Sequence, residues 1–218
     1  LAVDYLDVET GVIAEIDGQT RIPRHVFTAG ETATATERRP LDTTFDERVA
    51  TTGKPFGFHD VKEAEFTEHR AAESGEIAAY LGVSVTVDDK QYGVLSFSDR
   101  DSRASAFSES EETFVRTVAQ WAGKEISRRR NQKRANAERE RLRQIIDMLP
   151  QLVFAKDESG TFLLANEAVA DAYGTTVDEL EGATDAEFAD SEAEAEQFRA
   201  DDRAVIDSGE PKHISEES

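Results

Sequence analysis

Tyr80-Leu81-Gly82-Val83-Ser84-Val85-Thr86-Val87, then Asp88-Asp89, then Gln91-Tyr92-Gly93-Val94-Leu95-Ser96-Phe97-Ser98 is the stretch on which the fold turns. Its first run places Leu81, Val83, Val85 and Val87 on one side and Gly82, Ser84 and Thr86 on the other. A period of two is that of a strand with one buried face. The second run repeats the design with Tyr92, Val94 (and Leu95) and Phe97. Two such runs joined by a tight polar turn predict an antiparallel hairpin.

Upstream, residues 1–8 and 11–16 are short apolar-rich runs bounded by Glu9-Thr10 and Asp17-Gly18, and 20–28 is a third with partial alternation. Residues 42–52 read as a helix stopped by Gly53 and Pro55. Residues 56–59 form a brief strand, and 63–79 have helical character interrupted at Gly75. Downstream of the hairpin, Ser108 and Glu111 make a capping-box pattern, with Phe107 placed as a staple. Val115, Val118, Ala122 and Ile126 follow at three- and four-residue steps, and no Gly or Pro interrupts residues 124–149. One helix from about 109 to 147 is expected, roughly 58 Å long, too long for one small domain. Past Pro150, residues 152–155 and 161–165 flank the turn Asp157-Glu158-Ser159-Gly160 as a second hairpin. Asn166 caps a helix to about Tyr173, and 177–180, 185–188 and 192–207 are further helical pieces. Residues 208–211 read as a turn, and 212–214 begin something extended. The fold class expected is α+β.

Composition sets outer bounds. The chain of 218 residues carries 25 Lys and Arg against 46 Asp and Glu, a net charge of −21, and seven of its cations are Lys. Its 38% hydrophobic residues fall in strand and helix periods, which predicts folded domains under an acidic skin. Such a skin suits a salt-adapted, halophilic protein and disfavours nucleic acid as a direct partner. No apolar run approaches the ~20 residues needed to span a bilayer, so no membrane insertion and a cytoplasmic location are expected. Cysteine is absent, which removes disulfides, thiolate nucleophiles and Cys-based zinc sites. The missing initiator Met and the unfinished pattern after Lys212 predict a piece of a longer protein.

The run Ile77-Ala78-Ala79-Tyr80-Leu81-Gly82-Val83-Ser84-Val85, then Tyr92-Gly93-Val94-Leu95-Ser96-Phe97, then Phe107-Ser108 and the helix with Trp121, resembles the second half of a GAF domain. Thr52-Gly53-Lys54-Pro55 followed by Phe58-His59-Asp60 resembles that family's approach to its pocket. Ile145-Ile146-Asp147-Met148-Leu149-Pro150-Gln151-Leu152-Val153-Phe154, with Asp157, Gly160, Leu163-Leu164-Ala165-Asn166-Glu167-Ala168 and Tyr173-Gly174, resembles the start of a PAS domain. The resemblance implies a GAF-like domain over 1–123 whose opening helix lies upstream of Leu1. It further implies a connector over 109–149 and a PAS-like domain over 150–218 that lacks its last three strands. Such pairs resemble the input region of a haloarchaeal sensor histidine kinase or of a bacterio-opsin-activator-like regulator. The function this implies is that of a sensory segment in a two-component phosphorelay, its output most naturally a histidine kinase. The rivals are a dimerisation scaffold with filled pockets and the input half of a transcriptional regulator.

The resemblance also implies pockets. In the GAF-like part Phe58, His59, Phe66, Tyr80 and Ser84 would line a small-molecule site between the sheet and residues 56–80; in the PAS-like part Phe154, Phe162, Asn166, Tyr173 and Phe188 face the equivalent cavity. The aromatics also explain themselves as core filling, the simpler reading, and Asn166 as a helix cap. His59 with Asp60, Glu65 and His69 lacks His-x-Glu or HExxH spacing, and His25 and His213 lie on other elements, so no metal is assigned. No Ser/His/Asp arrangement, GxxxxGK loop or phosphoacceptor His box is legible, so the segment is expected to be non-enzymatic, with no cofactor required.

Residues 124–143 hold nine cations and three acids. A nucleic-acid or membrane patch is one reading; a solvated helix drawn to acidic domains is the simpler one. Val115, Val118 and Ala122 keep heptad-like spacing, as do Leu142, Ile145 and Leu149. Val115 to Leu142 is 27 residues, one short of four heptads, so the two seams share no straight stripe. A parallel homodimer is expected, held at each end of a coiled-coil connector and weakly specified between them.

Overall fold

The computed structural model describes residues 2–28, 31–33, 37–64, 69–73, 75–189 and 191–210, with backbone alone for 31–33 and 192–195. The chain divides into two compact units, Leu1–Gln132 and Lys133–Ser218.

In the first unit the elements run α1 (Ala2–Leu6), β1 (Thr10–Asp17), β2 (Thr20–Thr28), β3 (Glu31–Ala33) and β4 (Arg39–Pro40). A 3₁₀ turn (Leu41–Thr43), α2 (Asp46–Thr52), β5 (Phe56–Phe58), α3 (Arg70–Glu73), β6 (Ala79–Val87), β7 (Lys90–Asp99) and the start of α4 (Glu109–Asp147) follow. The strands form one antiparallel sheet in the order β3-β2-β1-β7-β6-β5, with β4 pairing the start of β2.

The β6–β7 hairpin is the axis of this sheet. Asp88 and Asp89 both take positive φ, 50° and 59°, the twist that lets two residues join right-twisted strands. Aspartate tolerates that region better than most side chains. The face bearing Leu81, Val83, Val85, Leu95 and Phe97 packs with Val3 and Leu6 of α1 and Val115, Ala119 and Ala122 of α4 as the main core. Tyr80, on the opposite face, joins a second cluster with Phe45, Phe58 and Ala71. Helix α2 ends as expected: Gly53 is left-handed at φ 68° and donates its N–H to the Val49 carbonyl at 2.8 Å.

Two local expectations are corrected. The apolar run 1–8 is helical over Ala2–Leu6, which turns Val3 and Leu6 into the core. Among the described residues of 63–79 the helix is the turn Arg70–Glu73, with Gly75 at φ 65° beyond it, while Ala79 opens β6 opposite Asp99. Helix-favouring Ala and Glu lose there to sheet pairing and burial, since propensity is a weak prior. Residues 65–68 and 74 of that stretch lie outside the described residues.

Helix α4 covers 39 residues. Ser108 caps it: the Glu111 N–H donates to Ser108 Oγ at 3.2 Å, and the Glu111 carboxylate accepts from the Ser108 N–H at 2.7 Å. Phe107 does not staple onto the fourth helical residue, which is Glu112. It lies beneath the Arg103 guanidinium, 4.2 Å from its ring centre.

In the second unit β8 (Phe154–Lys156) pairs antiparallel with β9 (Phe162–Ala165), followed by α5 (Glu167–Tyr173), α6 (Val177–Leu180), a 3₁₀ turn (Asp185–Glu187) and α7 (Glu192–Ser208). Strand β8 starts at Phe154 rather than at 152, because the Val153 N–H is bound to Asn166 Oδ1 at 3.0 Å. Phe162, Ala165, Val169, Ala170 and Leu180 form the core. The 157–160 turn closes on the Asp157 carboxylate, which accepts from the Ser159 hydroxyl at 2.6 Å and the Thr161 N–H at 2.9 Å. Those bonds hold Asp157 below the usual carboxylate range. The extended piece expected at 212–214 lies outside the described residues.

Candidate functional sites

Helix α2 carries Asp46 in its first turn, and the pleat of β6 turns Tyr80 toward it. The Tyr80 hydroxyl donates to Asp46 Oδ1 at 2.6 Å, and Arg21 from β2 donates to Oδ2. Both Asp46 and Tyr80 are buried. Burial pushes the Tyr80 phenol well above its usual value, and the neighbouring Asp46 carboxylate adds to that, so the phenol stays a neutral donor. Around it Phe45 meets Phe58 edge-on at 4.8 Å between ring centres, and Tyr80 lies 5.6 Å from Phe45 and 5.9 Å from Phe58.

The predicted GAF-like lining residues do not all meet. Phe58 and Tyr80 stack in this cluster, while Phe66 lies outside the described residues. His59 sits at its margin, 3.4 Å from the Glu63 carboxylate. Ser84 belongs elsewhere, to a groove of about 550 Å³ lined also by Gln120, Lys124 and Asn131. A smaller cavity of about 230 Å³ adjoins the cluster, bounded by Phe45, Arg48, Phe56 and His69. There the His69 ring stacks on Phe45 at 5.4 Å; its Nδ1 accepts from the Ala71 N–H, which leaves Nε2 facing Glu47 at 3.2 Å. Among the described residues no group of three His, Asp or Glu is arranged to hold a metal ion. The Asp46 carboxylate is engaged by Arg21 and Tyr80, so it is not poised as a general base. Sequence reading misses this triad: Arg21 and Asp46 are 25 residues apart, and no local pattern pairs them.

In the second unit Phe154, Phe162, Tyr173 and Phe188 form an edge-to-face series at 5.8, 5.9 and 6.0 Å. Asn166 is fully buried and bonded on both ends of its amide. Oδ1 accepts from Val153 and Val169, while Nδ2 donates to the carbonyls of Ile146, Gln151 and, more weakly, Leu149. It caps α5 and ties in the end of α4, with no polar atom left over for a ligand. Lys156 carries no signal in the sequence. Its Nζ donates to Asp185 at 2.7 and 2.9 Å and to Asp202 at 3.2 Å, and sits 4.7 Å from the Phe162 ring centre. Tyr173 donates to the same Asp185 at 3.1 Å.

Helix α4 corrects the expected seam. Val115 and Ala122 are buried in the first unit's core, and Val118 and Ile126 pack against it. Their three- and four-residue spacing answers the sheet, not a second helix. Leu142, Ile145 and Leu149 are exposed.

A curled antiparallel sheet backed by the opening of a long helix, with an aromatic cluster on its other face, defines an α+β domain of the GAF-like class. The chain belongs to the GAF domain family, whose model matches residues 1–126. A PAS fold model matches residues 146–218. Among solved structures, the blue-light absorbing form of the Thermosynechococcus elongatus PixJ GAF domain is 15% identical. It covers 63% of this chain and 84% of its own, with a TM-score of 0.51, a likeness of fold. The GAF domain of an Acinetobacter phosphoenolpyruvate-protein phosphotransferase is 17% identical at TM-score 0.47, covering 61% and 78%. A domain of a putative two-component sensor histidine kinase from Sinorhizobium meliloti 1021 is 17% identical at TM-score 0.44, covering 62% and 90%. No curated protein matches the chain. GAF and PAS domains are sensory input domains of signal transduction, regulatory rather than catalytic. No described helix is long and apolar enough to cross a membrane.

Proposed function

We propose that this chain is the non-enzymatic input segment of a cytoplasmic signalling protein: a GAF-like unit over 1–123, a connector over 109–149 and a PAS-like unit from 150. A change in either unit alters the register or rotation of a paired connector, and a downstream histidine kinase reads it. The observation that carries this is α4 itself. Its opening third supplies Val115, Ala119 and Ala122 to one core, and its closing residues Arg143 and Ile146 are bonded within the second unit. Strain at either end is strain on one helix. Absorption spectra and native mass spectrometry of the purified protein test the sensory part. A retained chromophore or metabolite supports it, and an empty protein that binds nothing in a metabolite screen overturns it.

A scaffold reading has its own support, since Phe45, Phe58 and Tyr80 pack against one another as a core cluster. Under it the protein dimerises and binds nothing. The acidic skin of net charge −21 further suggests a salt-rich cell, as in halophilic archaea. Thermal unfolding that shifts upward steadily from dilute to concentrated KCl supports that origin, and a salt-independent midpoint contradicts it.

A further inference from the structure

Strand β6 is longer than the strand beside it. Strand β5 pairs with Gly82, Leu81 and Tyr80, while β6 runs on to Val87. The residue before β5 is Pro55, which has no N–H to offer Val83, and Gly53 just ahead of it ends α2 at φ 68°. Residues 83–87 therefore pair with β7 on one side and, among the described residues, with no strand on the other. An open strand edge presents backbone donors and acceptors in a row, a template for another chain.

The groove of about 550 Å³ that Ser84 and Lys124 share runs along this edge. Ser84, Thr86 and the Asp88-Asp89 turn line one side, and Gln120, Lys124, Ser127 and Asn131 of α4 line the other. Three- and four-residue steps put those four on one helix face. Ser84 to Asp89 along a strand and Gln120 to Asn131 along a helix each span roughly 16 Å, so the walls match in length. At that length the volume makes a slot about 6 Å across, room for one strand beside β6 at the usual ~4.8 Å. Helix α4 comes so near because of Gly123, where no Cβ would clear the Thr86 carbonyl oxygen. At the far end Ser127 donates to Asp88, and Asn131 to Ser127 at 3.4 Å. Arg128 is held by Glu125, but Lys124 and Gln120 make no hydrogen bond or ion pair among the described residues. An unpaired lysine beside an open strand edge suits a carboxylate carried on an incoming chain.

We propose that this slot takes an extended segment of a partner protein, about five residues long, added to the sheet as a strand beside residues 83–87. Its side chains are β-branched or hydroxyl-bearing, with one carboxylate set over Lys124. Main-chain bonds to β6 supply the affinity, and Lys124 selects the side chain. The slot shares no residue with the Phe45, Phe58 and Tyr80 cluster, and the proposal does not rest on the relay reading.

The probe is a fluorescein-labelled peptide of alternating valine and threonine with one central glutamate. It is titrated into the whole chain in concentrated KCl, where the protein's acidity is screened. Saturable binding is expected, with NMR shifts at the Ser84 and Thr86 amides. Replacing the glutamate by glutamine is expected to weaken binding up to about five-fold, Lys124→Gln equally, and both together no further, as for an exposed ion pair. Backbone N-methylation tests strand pairing without altering the protein. Methylating the alternate amides that face β6 should abolish binding, and methylating the other set should leave it. Binding that survives both methylated peptides or neither, or that shifts Phe45 and His69 instead, overturns the proposal. Failure to saturate at millimolar peptide overturns it too. Exchange protection at Ser84 and Thr86 that rises with protein concentration, without peptide, puts a second copy in the slot and overturns the partner. None of these outcomes bears on a retained chromophore or metabolite, so the sensory reading fails or stands separately.

Discussion

The side-chain amide of Asn166 donates to the Ile146 carbonyl at 2.9 Å, joining the last turn of α4 to the cap of α5. The same side chain accepts from Val169 on α5 at 3.2 Å and from Val153 before β8 at 3.0 Å. One buried amide therefore closes three chain segments.

Asn166→Ala removes all of these bonds and leaves buried donors and acceptors unpaired. Losing the cap alone costs ~1 kcal/mol, and orphaned buried groups raise the total to about 3 kcal/mol. Hydrogen exchange should rise at the Val153 and Val169 amides, while the β6–β7 hairpin stays protected. A uniform rise over both units would contradict a role confined to the second.

Lys156 and Asp185 form a nearly dry ion pair, with side chains 9% and 2% exposed. Such a pair adds little over an apolar pair of the same shape, but breaking it strands a charge. Lys156→Met is expected to lower stability by about 3 kcal/mol, and the double variant Lys156→Met with Asp185→Asn to recover most of that. Urea unfolding of the four-member cycle measures the coupling. Additive losses would mean that the two side chains act independently.

The parts of this molecule legible in its sequence are those governed by local periodicity. Leu81, Val83 and Val85 alternate with small and polar residues, and Ser108 with Glu111 marks the start of α4 at the observed residue. Pairings across 25 or 29 residues, such as Arg21 with Asp46 or Lys156 with Asp185, leave no periodic trace. Spacing along α4 reveals that a face is apolar but not what covers it. Val115 and Ala122 suit a sheet as well as a helix, and burial alone separates them from Trp121 and Leu142.

The start of α4 should be acid-sensitive. Burial pushes the Glu111 carboxyl up, but the Ser108 N–H and hydroxyl, with Arg103, outweigh it and hold it below its ordinary 4.5. A depressed carboxyl stabilises the fold above its unfolded value and loses that contribution as pH falls through the lower folded one. Stability of the first unit should therefore decline as pH drops below about 4.5. Glu111→Gln should be less stable near neutrality by ~1 kcal/mol, as for a lost cap interaction, with a shallower acid limb. Parallel acid limbs for the two proteins would rule out Glu111 as the titrating group.

Gly123 sets how closely α4 lies on the hairpin. A Cβ there would fall well inside contact distance of the Thr86 carbonyl oxygen, a backbone atom that cannot rotate away. Helix propensity alone predicts that Gly123→Ala stabilises α4 by ~1 kcal/mol. The clash acts the other way, forcing the helix off the sheet and loosening Ala119 and Ala122 from their neighbours, at a cost of about 2–3 kcal/mol, the upper part of the overpacking range. The net expectation is a loss of about 1–2 kcal/mol in urea unfolding of the first unit. Exchange should rise at Thr86 and Val87, where the helix is displaced, before it rises at Leu95. If Gly123→Ala is instead more stable than the parent, α4 rides higher over β6 than these contacts place it, and the glycine is not what sets their separation.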